Sequence, residues 1–122
     1  MTMRRSIPIH DATVPIACTI DAADIPERVE LLERLRGVLR AVERTEHGLL
    51  LCFAPDAGTE ADVRRFASEE HRCCAFWGFE VHTGPEELAL RWDGPPDVAQ
   101  LLDQLHAWFR REGDLPPIAE LL

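Results

Sequence analysis

The stretch that decides the fold is FWGFEVHTGPEELALRWD, residues 76–93. Residues 76–82 and 87–93 each place apolar side chains at alternate positions, which is typical of a β-strand with one buried face. Gly84 and Pro85 lie between these two segments and predict a turn, so the stretch should form a hairpin. The side chains expected to face the core are Trp77, Phe79 and Val81 in the first strand and Leu88, Leu90 and Trp92 in the second.

The chain before the hairpin predicts two strands and two helices. Residues 14–20 place Val, Ile, Cys and Ile at alternate positions and predict a half-buried strand. Residues 21–44 carry apolar side chains at helical spacing and predict the first helix. Residues 49–54 form an unbroken apolar run, which predicts a strand covered on both faces. Residues 60–74 follow a capping Thr59 and predict the second helix.

The chain after the hairpin predicts a third helix, which starts at Asp97 and ends near Gly113. Residues 1–13 are expected to form a flexible lead, and residues 114–122 a short tail. We therefore expect a single domain over residues 14–113, of the α+β class, with the element order β-α-β-α-β-β-α. Its mixed four-stranded sheet should pack against the three helices.

The composition of the chain argues against several classes of function. The formal net charge is −9, which is unfavourable for binding to nucleic acids or to anionic membranes. No apolar run approaches the ~20 residues of a membrane span, and the N-terminus lacks the apolar region of a secretory signal. We therefore expect a cytoplasmic protein, whose cysteines stay reduced.

The stretch EHRCCAFW, residues 70–77, concentrates the reactive side chains. On a helical wheel Glu70 falls in the middle of the apolar face of the second helix, one turn from Cys73 and Cys74. Burial should raise the pKa of Glu70, which suits a proton donor near neutral pH. Because a bound cation deprotonates a thiol, the paired cysteines fit a soft metal better than a role as isolated nucleophiles.

The pattern of cysteines narrows the class of metal. The C-x₂₋₄-C pairs typical of structural zinc are absent from the sequence, as are Walker A, EF-hand and GxGxxG motifs. Thiolates without a histidine or aspartate cluster favour thiophilic ions such as Hg(II), Cu(I) or As(III). Adjacent cysteines are not expected to bond to each other, since their Cα atoms are only ~3.8 Å apart. The candidate ligands are Cys73 and Cys74, with Cys18 or Cys52 as a third.

Three side chains beside the thiols could complete a pocket. Phe76 and Trp77 directly follow the cysteines and could screen a ligand from water, although both also fit a structural role in the core. His71 lies at the edge of the apolar face, where a structural role is the alternative to metal ligation. Cys18 and Cys52 each lie inside an apolar predicted strand, which favours a role as buried core residues over metal ligation.

The segment SEEHRCCAFWGFEV, residues 68–81, resembles a small bacterial domain with the motif E-[QH]-x-C-C-x-F-[FW]-x-F. This domain occurs alone or appended to MerR-type regulators, in mercury and heavy-metal contexts. The resemblance covers residues 14–110 and implies a metal or another thiol-reactive ligand. No helix-turn-helix precedes the matching segment in this sequence, so the resemblance implies no DNA binding. The residues that it marks are Cys18, Glu70, Cys73, Cys74, Phe76 and Phe79.

Three functions fit these observations. The first is capture of a thiophilic metal ion or organometal by Cys73 and Cys74, for sequestration, transfer or sensing in heavy-metal resistance. The second is an enzyme, either one that cleaves carbon–mercury bonds as organomercurial lyases do, with Glu70 as the catalytic acid, or one that exchanges thiols and disulfides. The third is a structural or interaction protein with core cysteines, whose apolar tail contributes to a homodimer.

Overall fold

A computed structural model of the chain describes residue 9 and residues 22–116. Within these residues one four-stranded sheet packs against three α-helices, which confirms the predicted α+β class. The strands lie side by side in the order β1-β2-β4-β3, and 3-10 turns precede α1 and α3. The helices are α1 (Ile25–Gly37), α2 (Ala57–Cys73) and α3 (Ala99–Phe109), and the strands are β1 (Leu39–Arg44), β2 (Gly48–Phe53), β3 (Gly78–Gly84) and β4 (Glu87–Asp93).

The aromatic hairpin of β3 and β4 has the alternation that its sequence predicts. Phe79 pairs with Trp92, and Val81 pairs with Leu90. Trp92 and Leu90 are buried, while Phe79 and Val81 are half-buried and pack against the same core. One face of the hairpin therefore lies against the helices.

The first helix is shorter than predicted, because α1 ends at Gly37 and Leu39–Arg44 form β1. β1 pairs antiparallel with β2, so the sheet is antiparallel in all its described pairings rather than mixed. The order of the elements from Ile25 onward is α-β-β-α-β-β-α. The predicted strand at residues 14–20 lies outside the described residues.

Strand β2 is covered on one face rather than on both. Leu49, Leu51 and Phe53 are buried against the helices. Leu50 and Cys52 point to the opposite face of the sheet and are only half-buried.

Asp56 caps α2 in place of the predicted Thr59. Its carboxylate accepts a hydrogen bond from the Thr59 backbone N–H at 3.0 Å, which satisfies one of the N–H groups left unpaired at a helix start. The buried face of α2 consists of Val63, Phe66, Ala67 and Glu70. The cap and this face fix the helix that carries the candidate thiols.

The predicted N-terminal lead contributes one described contact to the fold. Ile9 is half-buried and donates its backbone N–H to Oδ2 of Asp93 at 3.3 Å. Asp93 lies at the end of β4 and is fully buried. The rest of the lead and residues 117–122 of the tail lie outside the described part of the chain.

Helix α3 completes the helical layer over the sheet. Its buried side chains include Trp108 and Phe109, whose ring centroids are 4.9 Å apart. Between residues 22 and 116, none of the helices has the length and hydrophobicity that a membrane span requires.

Candidate functional site

The site is built on the buried contact between α1 and α2. The buried face of α1 begins with Arg28, one turn before Leu31 and Leu32. Arg28 is 5 % exposed, and its Nη1 donates a hydrogen bond to Oε2 of Glu70, which is 7 % exposed. A carboxylate on a buried helix face is costly unless it is paired, and Arg28 supplies the pairing.

Both members of this buried pair have shifted pKa values. Burial raises the pKa of the Glu70 carboxyl, and the charge and hydrogen bond of Arg28, with the nearby Trp77 indole, lower it only in part. Burial alone would lower the pKa of the Arg28 guanidinium, but the charge of Glu70 and the contact with Cys73 outweigh it and raise that pKa. Arg28 therefore stays charged, and Glu70 holds a proton more readily than an exposed glutamate.

The same guanidinium reaches the first thiol. Arg28 Nη2 lies 3.7 Å from Sγ of Cys73, the last residue of α2. Cys73 is half-buried and opens into a pocket of about 200 Å³. The other side chains that line this pocket are charged: Asp24, Glu27, Arg28, Glu69 and Arg72. The pocket therefore gives a polar, accessible approach to the Cys73 sulfur.

The second thiol is in a different state. Cys74 is fully buried, and its backbone N–H donates to the Glu70 carbonyl oxygen at 2.7 Å. Its sulfur is part of a disulfide, which differs from the expectation that the cysteines stay reduced. Cys52 and Cys73 are not in disulfides, so Cys73 and Cys74 are not bonded to each other, as their spacing predicts. Cys18, the remaining cysteine of the chain, lies outside the described residues.

Cys52 is not brought to this site. It points to the face of the sheet opposite the helices, where its strand neighbours are Ala41 and Ala89. Burial, with smaller contributions from the carboxylates of Glu87 and Glu43, raises the pKa of the Cys52 thiol. Cys52 is therefore excluded as a third ligand, and the reason is the alternation of side chains along β2.

The expected pocket residues hold the loop after α2 in place. The Nδ1 of His71 lies 2.8 Å from the Trp77 carbonyl oxygen and donates to it. Phe76 and Trp77 are 0 % and 1 % exposed and belong to the aromatic core, where Trp77 lies 5.3 Å from Trp92 between ring centroids. Among the described side chains, the Trp77 indole N–H finds no partner with regular hydrogen-bond geometry. These three residues hold the loop after α2 in place, and none of them lines the Cys73 pocket.

No group of three or more His, Cys, Asp or Glu side chains within residues 22–116 is placed to hold a metal ion. A site with three protein ligands would therefore need a contribution from outside this range.

Arg28 is the residue that the sequence analysis missed. The apolar spacing of α1 fits Leu31, Leu32 and Leu35, and Arg28 lies one turn before them on the same face. A cation on one buried helix face and Glu70 on another together indicate an ion pair. That signal was present in the sequence.

Comparison of the chain with protein-family models, with curated proteins and with solved structures finds no match. The resemblance to the small bacterial domain rests on the motif residues around Cys73 and Cys74.

Proposed function

We propose that the reduced protein binds a thiophilic metal ion or organometal through Cys73 and Cys74, with Cys18 as the third sulfur ligand. The observation that carries the proposal is the Cys73 sulfur, which lines a pocket and lies 3.7 Å from Nη2 of Arg28. Cys52 points to the opposite face of the sheet, so Cys18 is the cysteine of the chain that remains as a third ligand in this proposal. Reduction of the Cys74 disulfide frees its thiol, which directly follows Cys73 in the chain. Three sulfurs suit Hg(II), Cu(I) or As(III).

The surroundings of Cys73 support capture of a ligand. The pocket of about 200 Å³ can admit an ion or a small organometal. The Arg28 guanidinium, 3.7 Å from the sulfur, can pair with the negative charge of a thiolate complex. A cytoplasmic location, where thiols are kept reduced, belongs to this proposal because only the reduced site offers all three ligands.

Glu70 acts in this proposal as a positioning residue. Its carboxylate holds Arg28 Nη1, while Nη2 of the same guanidinium contacts the Cys73 sulfur. Because the carboxylate is 7 % exposed and committed to Arg28, the geometry favours metal binding over direct proton delivery to a ligand carbon. The protein therefore acts in this proposal as a binding protein that sequesters, transfers or senses a thiophilic metal.

Titration of the reduced protein with Hg(II), followed by thiolate-to-metal absorption in the ultraviolet, tests this function. We expect saturation at one ion per chain, with loss of tight binding in C73S and in C74S. C52S is the matched control, because it removes the same thiol group from the opposite face of the sheet. Tight binding by a C73S/C74S double variant would contradict the proposal.

Thiol–disulfide exchange is a second candidate, favoured by the thiol of Cys73 next to the disulfide of Cys74. The Cys73 thiolate would attack a disulfide sulfur, so that one S–S bond forms as another breaks and the departing sulfur leaves as a thiolate. Disulfide mapping of the metal-free protein by mass spectrometry distinguishes the two candidates, because exchange places a disulfide on Cys73.

A further inference from the structure

A second polar groove lies at the other end of α1 from Cys73. It is bounded by Gly37 at the end of α1, by β1 and by the end of α3, and its volume is about 360 Å³. Four arginines line it, and we call it the arginine groove. They are Arg36, Arg40, Arg110 and Arg111.

Most arginines in the described part of the chain are paired with carboxylates, but most of those in the arginine groove are not. Seven of the eleven arginines in the described part of the chain pair with carboxylates. Glu112, the one carboxylate that lines the groove, accepts a hydrogen bond from Arg110 Nε at 2.7 Å. Three guanidinium groups of the groove therefore have no ion-pair partner within residues 22–116: Arg36, Arg40 and Arg111.

Arg36 has a feature that its own helix does not require, whereas the conformation of Arg111 follows from the turn that ends α3. The guanidinium of Arg36 lies over the Trp108 ring, 4.5 Å from its centroid, and its buried Nε has no hydrogen-bond partner among the described residues. Arg111 has a φ of 62° because it follows the C-cap of α3: its N–H donates to the Trp108 carbonyl oxygen at 3.0 Å, and the Glu112 N–H donates to the Ala107 carbonyl oxygen at 2.8 Å. The turn accounts for this conformation, so Arg111 supports the groove by its charge and not by backbone strain.

We propose that the arginine groove binds a small phosphate-bearing molecule. A guanidinium donates paired hydrogen bonds to phosphate oxygens, and three uncompensated charges match one or two phosphate groups. The groove has the volume of a small-molecule site. The net charge of −9 repels polyanions at long range, so a small anion fits better than a nucleic acid.

The arginine groove is independent of the proposed metal site. The helix from Arg28 to Gly37 spans about 14 Å, so neither pocket reaches the other. Failure of metal binding would therefore leave this inference intact, and the reverse also holds.

A purely structural role for the arginines predicts a different result. α1 and α3 both end at the groove, and positive side chains near helix C-termini stabilise helices. If Arg111 served that purpose, its loss would lower the melting temperature. Glycine suits the left-handed position after the C-cap, so R111G removes the guanidinium without disturbing the turn; a ligand site then predicts weaker binding at an unchanged or higher melting temperature.

Isothermal titration of the full chain with pyrophosphate and with inorganic phosphate, at about 50 mM salt to limit screening, tests the proposal. We expect saturable binding, with pyrophosphate bound more tightly than phosphate. R111G and R40Q should each weaken pyrophosphate binding about tenfold, the effect of losing one charge-assisted hydrogen bond.

R64Q is the matched control, because it removes the same charge from the exposed face of α2, where Arg64 pairs with Glu60. It should leave binding almost unchanged. The proposal is overturned if R64Q weakens binding as much as R40Q, or if the wild-type chain shows no saturable binding. Tighter binding of citrate than of pyrophosphate would also contradict the proposal, because it would indicate that the groove prefers carboxylates to phosphates.

Discussion

Arg28 occupies a position in α1 where the pattern of apolar side chains fits a leucine. Arg28, Leu31, Leu32 and Leu35 have the spacing of one buried helix face. The sequence alone indicates that Glu70 needs a partner on its apolar face. It does not identify that partner, because Arg28 and Glu70 are 42 positions apart and meet only through tertiary packing.

Replacing Arg28 with methionine should destabilise the protein by about 3–5 kcal/mol, because Glu70 then remains buried without its counter-charge. Urea unfolding followed by tryptophan fluorescence measures this loss in the free energy of unfolding. The same substitution at Arg34, whose ion pair with Asp62 is exposed, should cost much less.

A double substitution, R28M with E70M, separates the ion pair from the packing of the two side chains. It should recover most of the lost stability, since hydrophobic residues often replace a buried ion pair at little cost. A double variant that stays as unstable as R28M would show that the guanidinium stabilises the fold through other contacts, such as that with Cys73.

The raised pKa of Glu70 gives a pH dependence of known sign. The folded state binds this proton more tightly than the unfolded state, so the group stabilises the fold fully below the unfolded pKa of about 4.3. That contribution is lost as the pH rises through the higher folded pKa. The stability of the wild type relative to E70Q should therefore fall from weakly acidic to neutral pH, as urea unfolding at a series of pH values can measure.

Glu69 provides the control for this pH series. It lies next to Glu70, also approaches Arg28, with Oε2 3.8 Å from Nε, but its side chain is 30 % exposed. E69Q should show no comparable trend. A wild-type advantage over E70Q that grows with pH would mean that Arg28 lowers the pKa of Glu70 below its ordinary value.

At the scale of the elements, the main difference between prediction and structure is the boundary at Gly37. Val38, Leu39 and Val42 continue the helical spacing of α1, so the pattern alone favours a longer helix. β1 forms instead because its backbone pairs with β2, an interaction that local spacing does not contain. The glycine was the available signal for the helix end.

Substitution by alanine should have opposite effects on the stability of the fold at two glycines that lie at the ends of elements. A Cβ on Gly37 meets no atom within 4 Å, so G37A should stabilise the fold by about 0.4–1 kcal/mol through the unfolded state. A Cβ on Gly48 would lie 1.7 Å from the Trp92 carbonyl oxygen, so G48A should destabilise it by about 1–3 kcal/mol. Thermal unfolding of the two variants measures both effects, and equal melting temperatures would contradict the described start of β2.

At the scale of the whole molecule, the α+β class and the hairpin could be predicted, because alternation and turn residues are local signals. The strand order β1-β2-β4-β3 could not, since it depends on contacts between distant segments. The burial of Glu70 on the second helix could also be predicted, whereas the cysteine site stays a prediction. Helical periodicity places Glu70 beside Cys73 and Cys74, but the sheet face of Cys52 depends on the register of β2.

The single guanidinium that contacts both Glu70 and Cys73 has a thermodynamic consequence. Any group that binds the Cys73 sulfur also alters the contact between Arg28 and Glu70, which joins α1 to α2. By reciprocity, the helix junction and the sulfur-bound species must influence each other by the same coupling energy. Binding of any group to the Cys73 sulfur should therefore change the melting temperature of the whole domain.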